Sequence, residues 1–205
     1  MRISDIKQQQ KQSGRYSIYV DGKYVFSLST DELLSQGIKI GNDYDRNSIK
    51  KFQQIAKLDK AYFSAIGLIS RRRRSVWEVE QYLKRKGHID ITEKIVNKLS
   101  KNNYLDDKQF ANSWVENRRL LKNVSRRRLE AELRAKRVSI EIIKDVLNAD
   151  KVDEVEVIKK LIVKKRTQSR YSNKEKLIGF LARQGFNYQD ISTAISWLGD
   201  ERNQE

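Results

Sequence analysis

Three segments of this chain share one sequence pattern at nearly equal spacing, and this repetition limits the possible folds more than any other feature. They are SVWEVEQYLKRKG (75–87), SRRRLEAELRAKR (125–137) and NKEKLIGFLARQG (173–185). Each begins with Ser or Asn, which cap helix N-termini, and each has a Leu eight residues later. The capping residues lie 50 and 48 residues apart. A fixed period of this size is typical of repeat proteins.

Each of these segments is flanked by two further stretches whose apolar residues recur with the period of an α-helix. The predicted preceding helices span residues 55–70, 107–121 and 153–167, and the predicted following helices span 91–103, 139–148 and 188–198. We therefore predict three three-helix repeats, at residues 51–104, 105–150 and 151–205. One repeat is too small to bury its apolar face well, so we expect the repeats to pack into a curved stack.

The first 50 residues have a different pattern and predict a small β-hairpin-plus-helix module (1–50). Apolar residues alternate through 16–29 on both sides of Asp21-Gly22, and this is a strong signal for a hairpin with a tight turn. A short helix should follow, capped by Ser29 or Thr30 and ended by Gly37. The polar residues 1–15 are either an edge strand or a mobile segment. The predicted fold class is therefore mainly α, with a small N-terminal β module.

The chain carries 43 Lys and Arg against 27 Asp and Glu, a net charge of +16. A domain gains no fold stability from such an imbalance, but it attracts polyanions. The basic residues cluster where the first helix of each repeat meets the second. The clustered residues are Arg71, Arg72, Arg73 and Arg74; Arg118, Arg119, Arg126, Arg127 and Arg128; and Lys164, Lys165, Arg166 and Arg170.

Any one cluster has an ordinary explanation, because cations are favourable at helix C-termini and on solvated faces. Three clusters at equivalent positions favour a surface for a polyanion or an acidic filament. The aromatic residues Trp77, Tyr82, Trp114 and Trp197 have the spacing of helix interiors and favour packing over base stacking. For Tyr62, Phe63 and Tyr171 the sequence leaves both roles open.

No pattern of catalytic or metal-binding residues stands out. There is no Cys, no phosphate-binding glycine loop and no zinc spacing. The single His, His88, lies at a predicted helix end, and helix capping explains the Asp106-Asp107 pair. No stretch has the length and apolarity of a membrane span or signal core. We therefore expect a cytoplasmic, non-enzymatic protein with no cofactor, no metal and no membrane partner.

The segment YLDDKQFANSWVENR (104–118) resembles the signature of the RecX family of bacterial recombination regulators. The matching residues are Tyr104, Leu105, Asp106, Asp107, Phe110, Ala111, Trp114, Val115 and Arg118. The resemblance covers about residues 55–200, and residues 1–50 are similar to the N-terminal extension of longer members. One departure is Arg137, at a position where the family often has Gly. Most of the signature residues look like packing and capping residues rather than a binding surface.

The resemblance implies a regulatory binding protein that modulates, and usually inhibits, the RecA recombinase. It implies binding in the groove of the RecA–single-stranded DNA filament, with effects on DNA repair, recombination and the SOS response. The expected partners are RecA and single-stranded DNA, with double-stranded DNA as a further candidate, and we expect a monomer. The charge alone supports an alternative, an independent helical-repeat protein that binds DNA or RNA without sequence preference.

Overall fold

The computed structural model describes residues 1–10 and 12–202. Their contacts divide the chain into two compact units. The first unit comprises Met1–Arg72 and Val79–Leu105, and the second comprises Arg73–Glu78 and the residues from Asp106 onward.

The N-terminal sheet has three antiparallel strands in the order β1 (Ile3–Gln8), β2 (Arg15–Val20) and β3 (Lys23–Ser29). The Asp21-Gly22 turn joins β2 to β3, and both residues have positive φ, at 48° and 79°. This confirms the predicted hairpin. Strand β1 pairs with β2, so the N-terminal segment contains the edge strand that was one of its two predicted states.

Helix α1 (Thr30–Ser35) follows the sheet, and Ser29 caps it by accepting a hydrogen bond from the Glu32 amide. Helix α2 (Arg46–Ile69) begins at the Asp45 cap, about nine residues before the predicted start at 55. The prediction was wrong here because the apolar face of α2 changes partner along its length. Its N-terminal half packs against the sheet through apolar side chains, among them Ile49, Phe52 and Ala56.

A buried ion pair fastens the sheet to α2. The Arg15 guanidinium lies 2.9 Å from the Asp59 carboxylate, and the two side chains are 8% and 5% exposed. The Ser29 amide and hydroxyl donate to the same carboxylate, at 3.0 and 2.7 Å. Because the carboxylate is paired and hydrogen-bonded, its desolvation cost is offset.

The remaining helices follow the predicted order. They are α3 (Val76–Arg85), α4 (Thr92–Lys101), α5 (Asp107–Lys122), α6 (Arg126–Ala135), α7 (Ile140–Ala149), α8 (Glu154–Arg166), α9 (Lys174–Arg183) and α10 (Tyr188–Arg202). Each predicted repeat thus corresponds to three α-helices of the described chain, while the repeat boundaries themselves stay a prediction. No helix among the described residues is long and apolar enough to cross a membrane.

The three predicted capping residues all cap their helices. Ser75, Ser125 and Asn173 accept hydrogen bonds from the amides three residues later. In the first of these caps, the Ser75 amide also donates to Glu78 at 3.3 Å, which completes the predicted capping box.

The three equivalent helices also end alike. Gly87, Arg137 and Gly185 have φ of 79°, 57° and 91°. In each case the following amide bonds to the carbonyl of the Leu four residues before that position, as in a Schellman motif. Arg137 therefore adopts the left-handed conformation that glycine tolerates best.

Apolar side chains of the described residues form clusters that each lie within one unit. In the first unit one cluster lies between the sheet and α2. In the second unit, one cluster joins α5, α6 and α7 around Leu129, Leu133 and Ile143. Another joins α8, α9 and α10 around Ile158, Leu181 and Ile191. This arrangement places the α5–α6 and α8–α9 corners at the edges of two small cores.

Candidate nucleic-acid interface

The structure places the predicted basic residues at the ends of helices, as the sequence indicated, but it gives them different surroundings. We call residues 71–74 the first corner, residues 118–128 the second corner and residues 164–176 the third corner. The first corner is divided between the two compact units, so its two halves are described separately.

In the first corner, Arg71 and Arg72 belong to the first unit and are exposed. Arg73 and Arg74 belong to the second unit. Arg73 donates to the Gln109 side chain at 2.7 Å, and Arg74 lies 3.8 Å from the Glu78 carboxylate. Arg73 and Arg74 thus already have contacts inside the second unit.

Arg119, in the second corner, lies in an internal network. Its side chain is 9% exposed, with Asp150 at 2.8 Å and Glu154 at 2.9 Å. It also donates to the backbone oxygen of Val124. This placement favours a packing role, because its donors are occupied and solvent barely reaches them.

Arg126 is exposed yet also holds the fold together. Its guanidinium donates to the Leu147 carbonyl and to the Asn148 side chain, at 2.5 and 2.6 Å, near the end of α7. Its backbone amide donates to Glu154 at 3.1 Å. A cation at a helix C-terminus is also favoured by the helix dipole. The residue therefore satisfies one carbonyl group, that of Leu147, among those that the end of a helix leaves unbonded.

Arg118 and Arg128 converge on one carboxylate. Glu132 accepts a hydrogen bond from Arg118 Nε at 2.6 Å and lies 3.5 Å from Arg128 Nε. The indole nitrogen of Trp114 donates to Glu132 at 2.9 Å, and the Arg118 guanidinium lies 4.5 Å from the Trp114 ring centre. Trp114 packs against the α5–α7 core, which matches the packing role that its spacing favoured. Arg127 is exposed, and no ion pair within the described chain involves it.

In the third corner, Lys164, Arg166 and Arg170 are exposed, and Lys165 is half-buried. The Lys165 ammonium lies 5.7 Å from the Tyr171 ring centre and 5.4 Å from that of Phe180. The structure thus brings a cation and two aromatic rings together here. The sequence left the role of Tyr171 open, and the pairing with Phe180 was not predicted.

The carboxylate pair of the signature segment has two separate tasks. Asp106 caps α5 by accepting from the Lys108 and Gln109 amides, at 2.8 and 3.0 Å. Asp107 instead accepts from the Val76 amide at the start of α3, at 2.8 Å. Capping of its own helix therefore accounts for Asp106, as predicted, whereas Asp107 bonds the start of a helix distant in sequence, which was not predicted. Across the described residues, no group of three His, Cys, Asp or Glu side chains could hold a metal ion.

The other signature residues divide between core and surface. Phe110 and Ala111 are buried in the α5–α7 core at 2% and 0% exposure. Tyr104 is 52% exposed, and its amide bonds to the Leu99 carbonyl at the end of α4. Core packing and helix ends explain most of this segment.

Two contacts inside the second unit lie at equivalent positions of the repeated segments. Glu78, three residues after the Ser75 cap, lies 2.8 Å from the Lys136 ammonium at the end of α6. Arg128, three residues after the Ser125 cap, donates to Gln184 at the end of α9, at 2.5 Å. Lys136 and Gln184 each lie eleven residues after their own capping residues. The chemistry differs between the two contacts, but the positions are equivalent.

These features define a basic protein of three-helix repeats preceded by a small antiparallel sheet. Family models agree: that of the regulatory protein RecX N-terminal domain matches residues 1–45, and those of the first and second RecX three-helix domains match 61–99 and 106–147. The chain belongs to the RecX family.

Individual relatives and solved structures agree with this assignment. Regulatory protein RecX of Bacillus licheniformis is 32% identical over 94% of this chain and 76% of the relative, and that of Bacillus velezensis is 30% identical over 99% and 80%. A crystal structure of regulatory protein RecX covers 95% of this chain and 98% of its own, with a TM-score of 0.72 and 25% identity. The structure of RecX from Lactobacillus salivarius covers 70% and 97%, with a TM-score of 0.60 and 27% identity. The relatives are named regulatory proteins, which supports a regulatory role for this chain.

Proposed function

We propose that this chain regulates the RecA recombinase, and that it does so by inhibition. Membership of the RecX family, whose members are named regulatory proteins, carries the proposal. In this proposal the protein binds in the groove of the RecA–single-stranded DNA filament, as the resemblance of the 104–118 segment implies. Its effect on DNA repair and recombination follows from changes in that filament.

The two contacts at equivalent positions in the second unit are consistent with a filament as the partner. The Glu78–Lys136 and Arg128–Gln184 contacts lie at equivalent positions of successive repeats. A repeat protein carries equivalent positions in successive repeats along its chain. A filament also presents equivalent sites at regular intervals, so several weak contacts can act together and raise the overall affinity.

A functional assay with purified RecA tests this proposal. We expect sub-stoichiometric amounts of the protein to lower the DNA-dependent ATPase activity of RecA and to slow strand exchange at physiological salt. Since we propose a binding role without catalysis, the protein alone should neither hydrolyse ATP nor cleave the strand. An unchanged ATPase rate and unchanged strand exchange would contradict the proposal.

The net charge of +16 supports a second candidate, an independent nucleic-acid-binding protein without sequence preference. A competition between bare and RecA-coated single strands separates the two candidates. The regulator should prefer the coated strand, whereas the independent binder should prefer the bare strand, with an affinity that falls steeply with salt. We further propose a cytoplasmic monomer, and the mass from sedimentation equilibrium tests the monomeric state.

A further inference from the structure

The second and third corners differ in how their cations are paired. In the second corner, Arg118 and Arg128 share Glu132, Arg119 contacts Asp150 and Glu154, and Arg126 holds the end of α7. Most of that positive charge is thus already used inside the fold. A phosphate would have to compete with carboxylates and carbonyls that are in place before any ligand arrives.

The cations of the third corner have no such partners among the residues that the structure describes. Six basic residues lie within its thirteen positions: Lys164, Lys165, Arg166, Arg170, Lys174 and Lys176. None of the ion pairs between described residues includes any of these six. Five of them are exposed. Neighbouring like charges repel one another, and a polyanion relieves that repulsion.

Two aromatic rings lie among these cations. Tyr171 and Phe180 have ring centres 5.1 Å apart and an interplanar angle of 54°. Both are half-buried against the α8–α10 core, so part of each remains accessible. Besides the Lys165 contacts, the Arg170 guanidinium lies 5.9 Å from the Tyr171 ring centre. The positive charge is therefore held beside an aromatic surface.

We propose that the third corner is a binding site for single-stranded nucleic acid. Its exposed cations contact backbone phosphates, and the accessible part of Tyr171 stacks on a base. Cations beside aromatic rings are typical of sites that bind single strands, because every unpaired base has a face that can stack. An acidic protein surface would use the cations alone. This site rests on the proposed function in that it assigns the strand of the filament, rather than RecA, to the third corner.

The charge part of the site is tested with bare strands. The triple variant K164Q/R166Q/R170Q is compared with a control of equal charge change, K101Q/K144Q/K151Q, in which all three residues are exposed and lie outside the third corner. Binding to fluorescein-labelled oligo(dT) is followed by anisotropy across a salt series. Three lost phosphate contacts should lower the slope of log K against log salt by about 2, since each contributes about 0.7 for single strands. An equal decrease of this slope in the triple variant and in its control overturns the site.

The stacking part is tested with an abasic strand of the same length, which keeps the phosphates and lacks the bases. Y171L should weaken binding to oligo(dT) by about 5- to 150-fold and leave binding to the abasic strand unchanged. Y171F keeps the ring and should bind like the wild type. If Y171L weakens binding to both strands equally, the ring only supports the fold and the stacking role is overturned. Oligo(rU) in parallel distinguishes RNA from DNA.

Failure of the proposed site and failure of the proposed regulatory function give different results. If the triple variant binds bare strands normally but no longer binds RecA-coated strands, the third corner contacts protein and the proposed site is overturned. If wild-type protein inhibits RecA and the triple variant binds bare strands like its control, the site fails while the regulatory function stands. The site is supported if the triple variant loses binding to bare strands and the control variant does not.

Discussion

The Ser125 hydroxyl donates a hydrogen bond to the Gln184 carbonyl oxygen at 2.7 Å, although 59 residues separate the two. The same hydroxyl accepts from the Arg128 amide at 3.2 Å. One buried side chain thus caps α6 and bonds a carbonyl at the end of α9. The joint between the two repeats therefore depends on a residue that the sequence alone presents as an ordinary helix cap.

Replacing this hydroxyl should cost more than the loss of a cap. We expect S125A to lower the free energy of unfolding by about 2 kcal/mol, because it loses the cap and also leaves the Gln184 carbonyl without its donor. Urea denaturation followed by circular dichroism measures the change. N173A is the matched control, since Asn173 caps α9 through the Lys176 amide alone. It should cost about 1 kcal/mol, and equal losses in the two variants would contradict the double role.

Arg119 and Arg127 should respond very differently to loss of charge. R119M removes the cation that pairs with Asp150 and Glu154, and Asp150 is only 8% exposed. We expect it to lower the free energy of unfolding by about 3–5 kcal/mol. R127M alters an exposed side chain and should stay within about 0.5 kcal/mol of the wild type. Thermal and urea unfolding of the two variants provide the measurement, and a stable R119M protein would refute the packing role.

Arg137 occupies a left-handed position, and a glycine there should stabilise the protein. We expect R137G to raise the free energy of unfolding by about 0.5–1 kcal/mol, because relief of the side-chain strain exceeds the entropy that glycine adds to the unfolded chain. Urea denaturation provides the measurement.

The reverse change is its control. At Gly185, φ is 91° and an added Cβ would lie 2.8 Å from Ser125 Oγ. G185A should therefore lose more than about 1 kcal/mol. A stability gain in both variants would show that the left-handed backbone conformation does not explain the effect of R137G.

His88 should make stability depend on pH. Burial lowers the pKa of His88, and the nearby Lys57 and Lys60 lower it further, while Asp90 acts in the opposite direction. The unfolded chain then takes up a proton at a higher pH than the folded chain. The contribution of His88 to the free energy of unfolding should be fully present above the ordinary His pKa of about 6.5, and it should fall as the pH drops through that value.

The variant H88Q isolates this effect, because His88 is the single His of the chain. Unfolding midpoints at pH 7.5 and 5.5, two conditions chosen about 1 unit above and below the ordinary His pKa, should differ less for H88Q than for the wild type. If both proteins show the same pH dependence of stability, groups other than His88 cause it.

The sequence predicted the features that depend on neighbouring residues. The Asp21-Gly22 turn, the three capping residues and the equivalent helix ends all follow from short-range backbone preferences. The start of α2 was misplaced because its apolar residues face the sheet in one half, and the sequence does not show where a helix changes partner.

Contacts between distant residues could not be predicted in the same way. The Arg119–Glu154 pair spans 35 positions and the Arg128–Gln184 pair spans 56. The sequence gives the charge of each arginine but not its partner. The sequence therefore indicated that the second and third corners are equivalent. In the structure, most cations of the second corner contact carboxylates, whereas those of the third corner form no ion pair with another described residue. The pairing of Tyr171 with Phe180 was hidden for the same reason.

The planar fork of Arg126 bonds two oxygens near the end of α7. A lysine there would keep the full charge of the chain and yet could not reproduce that fork. Arg126 and Arg166 look alike as exposed cations, yet substitutions at the two positions should have opposite consequences. R126K should preserve the electrostatic field and weaken the protein, whereas R166Q should change the field and leave the protein intact. A mutational scan that is scored only by loss of activity would confuse the two. Each variant needs a folding measurement before its result can be interpreted as recognition.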